Sequence, residues 1–196
     1  MKIFRSGFTL LLILWLCACT LAKVDVNVVS ERTSLENQVL GTYNTINDDL
    51  LLVASVRGIS PSGKIAPTPQ RTPEQEGAVR ALETVSFHAD DVEAFKRLGW
   101  VGEDRVGLLA PFPRPQPQAG SSDQAFAERY SDGEFRQVLD DVNKAREVLM
   151  LRVIQTNENF TAQDLPEIRR VFAIINQQNS PPGSKVQGDD GTWGRL

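Results

Sequence analysis

The sequence predicts a mainly α-helical protein: amphipathic helices, with an antiparallel helix pair and a small β-hairpin at the C-terminal end. Three observations carry that expectation. In "FRQVLDDVNKAREVLMLRVIQTN", Phe135, Val138, Leu139, Val142, Leu149, Val153 and Ile154 keep one apolar stripe for about six turns, with Glu147 and Leu151 off it. A short "NENFT" connector then leads to a second stripe of Leu165, Ile168, Val171, Phe172 and Ile175, and two such helices on so short a loop should pack as a hairpin. Last, "SKVQ" and "TWG" flank Asp190-Gly191, a pair suited to a type I′ turn.

The N-terminus has a different grammar. Lys2 and Arg5 precede the uncharged run Phe8 to Leu16, and small residues follow, which is the layout of an exported signal. The run is well short of the roughly 20 residues that a membrane-spanning helix needs. Its end, Leu16-Cys17-Ala18-Cys19, holds the only two cysteines of the chain. A Cys-x-Cys segment rarely meets the geometry a disulfide needs. These four residues resemble a bacterial lipoprotein signal box, in which a leucine stands three residues before the acylated cysteine and a small residue directly precedes it. On that resemblance residues 1–18 are a signal peptide, Cys19 is the lipid attachment site and Cys17 leaves with the signal; a plain secretory signal is the alternative. Several acyl chains on one cysteine give firm membrane attachment, since each buried CH₂ contributes about 0.8 kcal/mol. Thr20 after the cysteine, by analogy with enteric lipoproteins, implies the periplasmic face of the outer membrane.

Cleavage after Ala18 removes Lys2 and Arg5 and no acid, leaving 19 basic against 25 acidic residues, a net charge of −6 over 178 residues. Nucleic-acid binding needs phosphates neutralised by clustered Lys and Arg, and the sequence shows no such cluster. We therefore expect no nucleic-acid partner.

Residues 19–58 read as a tether and a helix. "KVDVNVV" alternates apolar and polar residues as a half-buried strand would, and a solvated tether reads the same way. Leu35, Val39, Tyr43, Ile46, Leu50 and Val53 then mark one helical face, with Thr33 and Glu36 as a capping box and Gly58 as the stop. Residues 59–73 are a Pro/Gly/Ser-rich linker. Residues 74–109 hold short helices and a Gly-rich turn: Thr72-Pro73 with Glu74 and Glu76 opens a helix through Val79, Leu82 and Val85, and Asp90-Asp91 starts another that ends at Gly99. Residues 110–123 are a connector in which Pro111, Pro113, Pro115 and Pro117 alternate, favouring an extended path, with docking into a partner's aromatic groove as the alternative. Residues 124–196 hold the helical hairpin, opened by a Ser131/Glu134 capping box, with Thr161 or Asp164 capping its second helix and Pro166 in that helix's first turn, then the β-hairpin with Trp193 as packing anchor.

Chemistry is thinly represented. His88 is the only histidine, and "HADDVE" gathers His88, Asp90, Asp91 and Glu93, donors that suit a divalent ion but that helix capping and solvation explain better. Asp48-Asp49 and Asp140-Asp141 are adjacent, so on a helix they diverge by about 100° and cannot share a proton. Asp189-Asp190-Gly191 lacks the later glutamate of a calcium loop, and Asn159-Phe160-Thr161 matches a glycosylation sequon that has no meaning in a bacterial lipoprotein. No phosphate loop and no nucleophile elbow is present. We expect no enzyme activity, no cofactor and no metal site.

Two blocks, "RLGWVGEDRVGLL" (97–109) and "VNKAREVLMLRVIQTNENFTAQDL…PPGSKVQGDDGTWGRL" (142–196), resemble the YdbL-like family of small bacterial periplasmic proteins. The likeness rests on Gly99, Gly102-Glu103, Gly107-Leu108, Asn143 with Arg146, the helix pair, Pro182-Gly183, Val186-Gln187 and Gly191-Thr192-Trp193, within a core of about 91–196. The Pro-rich insert and Gly194 after the tryptophan depart from the family pattern, and residues 20–90 lie outside it. The resemblance implies a periplasmic setting without known catalytic residues. It also implies partnership with envelope proteins, since some members accompany an outer-membrane lipoprotein and a large phospholipid-carrying bridge. The resulting expectation is a lipid-anchored, non-catalytic adaptor or modulator of an envelope protein complex. A carrier of lipid or apolar ligand is the alternative, and a cell-wall-acting enzyme a weaker one.

Overall fold

In the computed structural model, residues 34–55, 72–117, 120 and 122–196 are described, all within one compact unit, Arg32–Leu196. The signal peptide, Cys19, the "KVDVNVV" segment, Thr33, Gly58 and residues 59–71 of the linker lie outside the described residues, as do the side chains of Asp49, Leu50 and Val53.

The protein is mostly helical with a small four-stranded sheet towards the C-terminus. Its elements are α1 (Ser34–Ser55), α2 (Pro73–Phe87), α3 (Ala89–Arg97), β1 (Val101–Glu103), β2 (Leu109–Pro111), α4 (Ser122–Ala127), α5 (Asp132–Thr156), a 3₁₀ turn (Ala162–Asp164), α6 (Leu165–Gln178), β3 (Lys185–Gln187) and β4 (Trp193–Arg195).

Local chemistry sets the helix starts. Thr72 caps α2 with Pro73 behind it, and Gln75 closes a capping box. Ser131 and Glu134 do the same for α5. Thr161 accepts from Gln163 while Asp164 reaches back to the Thr161 N–H, so the threonine caps the 3₁₀ turn, and Asp164 precedes α6 without a side-chain cap bond.

Helix α5 is the spine, and its apolar stripe serves two clusters. Its N-terminal half, Phe135 to Val142, packs with Val92 and Phe95 of α3, Trp100, Val101, Leu109 and Ala127. Its C-terminal half meets Val39 and Ile46 of α1, Ala78 and Val79 of α2, and Ile168, Val171 and Phe172 of α6. Ala81, Ala145 and Leu149 bring α2 and α5 together between these clusters.

The sheet corrects the expected C-terminal hairpin in three ways. First, the hairpin is not a separate two-stranded unit but half of a larger sheet. The Gly-rich segment after α3 forms its own antiparallel hairpin, β1–β2, and β3 lies parallel to β1, giving the order β2-β1-β3-β4. The partner strand comes from a distant stretch of chain, so local pattern could not announce it. Second, the β3–β4 turn is not type I′, which needs positive φ at both central residues. Gly191 N–H donates to Gly188 O (2.9 Å), and only Gly191 has positive φ (83°), so a type I turn over Asp189-Asp190 runs into a left-handed glycine. Third, Trp193 is 38% exposed; the buried anchor is Trp100, at 1%.

Pro111 sits within β2, an edge strand, where a missing N–H is tolerated. The Pro-rich stretch that follows is held against its own body: the Trp100 indole N–H donates to Pro115 O (3.3 Å), and Arg114 lies over the rings of Trp100 and Phe135 at 4.4 and 4.9 Å.

Candidate functional site: the two faces and two edges of the sheet

Alternation along a strand sends successive side chains to opposite faces. Val101, Glu103 and Leu109 therefore point inward towards α5 and α6. Gly102, Ala110, Lys185, Gln187, Trp193 and Arg195 share the outer face.

The inner face is fastened by charge. Glu103 is fully buried, and Arg146 of α5 grips it bidentately, Nη1 to Oε2 at 2.7 Å and Nη2 to Oε1 at 3.0 Å. Lys96 of α3 reaches Oε1 at 2.5 Å. The network closes on neutral groups: Arg146 also donates to Gly107 O (3.1 Å), Asn176 to the same carbonyl (3.2 Å), and Lys96 to Ser180 Oγ (2.8 Å). Burial alone pushes the Glu103 carboxyl upward, but the Arg146 charge and hydrogen bonds, then those of Lys96, hold it below the usual carboxylate range. Burial pulls the Lys96 ammonium down, against the opposing pull of Glu103. With both cations held on the one carboxylate, this cluster ties α3, β1 and α5 together, a structural task.

The outer face is built differently. A Cβ on Gly102 would come within 2.6 Å of the Trp193 ring and 2.9 Å of Lys185, so the glycine is the floor on which that tryptophan lies. Phe112 meets Trp193 edge-on at 4.8 Å, and the Lys185 ammonium sits 3.8 Å from the Phe112 ring centre. Lys185 donates to Gly99 O (2.8 Å) and Arg195 to Gly183 O (2.9 Å); among the described residues neither cation has a carboxylate partner. Burial, then the neighbouring Arg195, lowers the Lys185 pKa. A cleft of about 450 Å³ beside them is lined by Leu98, Gly99, Pro113, Arg114, Pro115, Lys185 and Arg195, three cations and no acid.

The two sheet edges also differ. Residues of an antiparallel pair alternate between exchanging hydrogen bonds and turning their groups away. In β1–β2, bonds from Phe112 N–H to Trp100 O (2.7 Å) and from Asp104 N–H to Leu108 O (2.9 Å) bracket the Gly102/Ala110 pair, so Leu109 and Pro111 face outward. Asn143 of α5 takes up both Leu109 groups, accepting from its N–H (2.8 Å) and donating to its C=O (3.0 Å), and Pro111 has no N–H. That edge is closed. In β3–β4, bonds from Leu196 N–H to Ser184 O (3.0 Å) and from Gly188 N–H to Thr192 O (2.9 Å) bracket Val186/Gly194 and turn Trp193 and Arg195 outward. No described residue bonds to their N–H or C=O, and all three β4 residues are exposed.

The remaining candidates lie elsewhere. His88 Nδ1 is 3.4 Å from Asp91 Oδ2 at the α2–α3 junction, Glu93 pairs with Arg97 (3.7 Å) and Asp90 is exposed. Burial and a hydrogen bond to Asp91 push the Tyr130 hydroxyl up to about 12. Among the described residues no three His, Cys, Asp or Glu side chains gather as metal ligands. Asp140 is exposed and Asp141 accepts from Gln137 (2.8 Å). Asp190 caps Thr192.

Sequence reasoning missed the Lys96–Glu103–Arg146 cluster. A signal was present: Arg146 stands between Val142 and Leu149 on the buried stripe of α5, and a charge at such a position demands a partner. The outer face had no comparable signal. Comparison with protein-family models, curated proteins and solved structures returned no match.

Proposed function

We propose that the chain is a lipid-anchored protein of the cell envelope that acts as a non-catalytic adaptor or modulator of an envelope protein complex, of the kind linked to phospholipid transport. The lipoprotein-like box ending at Cys19 supplies the anchor and, with Thr20, the periplasmic face of the outer membrane; the YdbL-like blocks supply the setting. One observation carries the adaptor reading: beside Lys185, the outer sheet face presents Trp193, Phe112 and Arg195, aromatic and guanidinium groups of the type enriched at protein interfaces. The inner face, by contrast, is spent on holding the fold.

Crosslinked pull-down of the lipidated protein from native membranes tests this. A stoichiometric protein partner, lost with Trp193→Ala, is the expected result. Recovery of lipid alone overturns it. The carrier reading rests on a separate feature, a groove of about 730 Å³ between α2 and α5 with Phe87 (80% exposed) and Val148 (39% exposed) on its walls. It predicts co-purified lipid, displaced by Val148→Asp.

A further inference from the structure

Within the adaptor reading, we infer that the free edge of β4 takes an extended acidic segment of a partner protein as a fifth strand of the sheet. The backbone groups of Trp193 and Arg195 already point away from β3, and no described residue answers them. Exposed edges are templates for pairing, and proteins commonly block them with proline, bulges or a covering element. This molecule does so on one side, with Pro111 and the Asn143 amide, and on the other no described residue bonds to the outward backbone groups. Strand addition uses main-chain bonds for affinity and alternate side chains for specificity.

Charge names the occupant. Side chains of an added strand that fall on the outer face stand beside Trp193 and Arg195, with Lys185 one strand further in. Both cations donate to carbonyls, and neither has a carboxylate partner among the described residues. At the other end of β4 the turn carries Asp189, 3.6 Å from Arg170, and Asp190, which accepts from Thr192. The favoured segment therefore places its acidic residues at the Arg195 end and away from the turn. Nothing lies within 4 Å of where a Gly194 Cβ would be, so the inward-facing side chain of the guest has room. A second copy pairing through the same edge would bring its own Trp193, Gly194 and Arg195 to the seam, a cation and no acid, so charge complementarity is absent.

The test uses the full lipidated protein in detergent micelles, with hydrogen exchange read over Thr192–Leu196. The probes are two synthetic peptides, one alternating valine and glutamate, the other valine and lysine. The glutamate peptide should slow the Trp193 and Arg195 amides by about tenfold near saturation, and the lysine peptide should not. Arg195→Pro removes one outward N–H and should abolish the effect at an unchanged melting temperature. Arg195→Glu keeps that N–H and should reverse the peptide preference, which keeps the idea testable if the proline variant fails to fold. Equal slowing by both peptides overturns the acidic partner. No slowing overturns the edge, and slowing that grows with protein concentration alone assigns it to a second copy, overturning the proposal. If Arg195→Pro and Arg195→Glu still capture the stoichiometric partner from membranes, this inference falls and the adaptor reading stands; if the unaltered protein recovers only lipid, the adaptor reading falls with it.

Discussion

The sheet consists of two hairpins with strands of equal length, and they are held in opposite ways. β1–β2 is fixed to the helices: Glu103 is clamped by Arg146 and Lys96, Leu109 is bonded twice to Asn143, and all of β1 is buried. β3–β4 hangs from β1 through a parallel pairing, and its last strand is exposed along its whole length. A three-residue strand has little intrinsic stability, so the first hairpin is the platform that lets the second stand at the surface. The outward backbone groups of the first hairpin are met by Asn143, whereas those of Trp193 and Arg195 in the second have no partner among the described residues.

The largest expected effect comes from breaking the clamp. Arg146→Leu leaves Glu103 buried with Lys96 alone and should cost about 3–5 kcal/mol in urea unfolding. Replacing Lys96, Glu103 and Arg146 together by Met, Leu and Leu should recover most of that loss, because a buried ion network seldom outperforms apolar packing of similar volume. A triple variant as unstable as the single one would mean the cluster does more than fasten β1.

Acid acts on the same cluster. Folding lowers the Glu103 pKa, so in acid the unfolded chain binds the proton more readily than the folded one. The stabilisation is complete above the unfolded value of about 4.3 and is lost as pH falls through the lower folded value. Stability profiles from pH 7 downward should therefore fall in that window, and Glu103→Gln should flatten the limb.

Next in size are the two places where the hairpins touch their supports. Gly102→Ala puts a methyl 2.6 Å from the Trp193 ring and 2.9 Å from the Lys185 carbonyl; it should cost about 1–3 kcal/mol and shift Trp193 fluorescence to the red. Asn143→Ala leaves the Leu109 N–H and C=O without their partner, a loss of about 1–3 kcal/mol. Because that substitution opens the closed edge, it should also produce concentration-dependent association in sedimentation, which Arg195→Pro should not.

The smallest effect separates display from support. Trp193→Ala removes a partly exposed ring and its edge-on contact with Phe112, a change of about 1 kcal/mol in stability. Capture of a partner should suffer far more. A variant that unfolds as badly as Arg146→Leu would place Trp193 in the core and break the contrast between the hairpins.

The helices were legible because their causes are local. Thr72 with Pro73, Ser131 with Glu134, and the stripe from Phe135 to Val153 act within four residues of each other, and each appears in the structure where the pattern put it. The "GWVGEDRVGLL" stretch was read as a tight turn because its strand β1 is three residues long and buried throughout, which erases the alternation that identifies a half-buried strand. The role of Trp193 was misjudged because burial depends on what lies opposite, and Gly102 is 91 positions away in the chain.

By itself the sequence determined the helical class, the Thr72 and Ser131 caps, the stripe of the spine helix and the likeness of the N-terminal box to a lipoprotein signal, all set by neighbours in the chain. Only the tertiary structure decided that β3 pairs with β1, that Glu103, Lys96 and Arg146 meet, and that one sheet edge is closed while the other has no partner among the described residues. Those outcomes depend on hydrogen bonds and charges between residues dozens of positions apart. A backbone N–H looks the same in any sequence until the fold gives it a partner or withholds one.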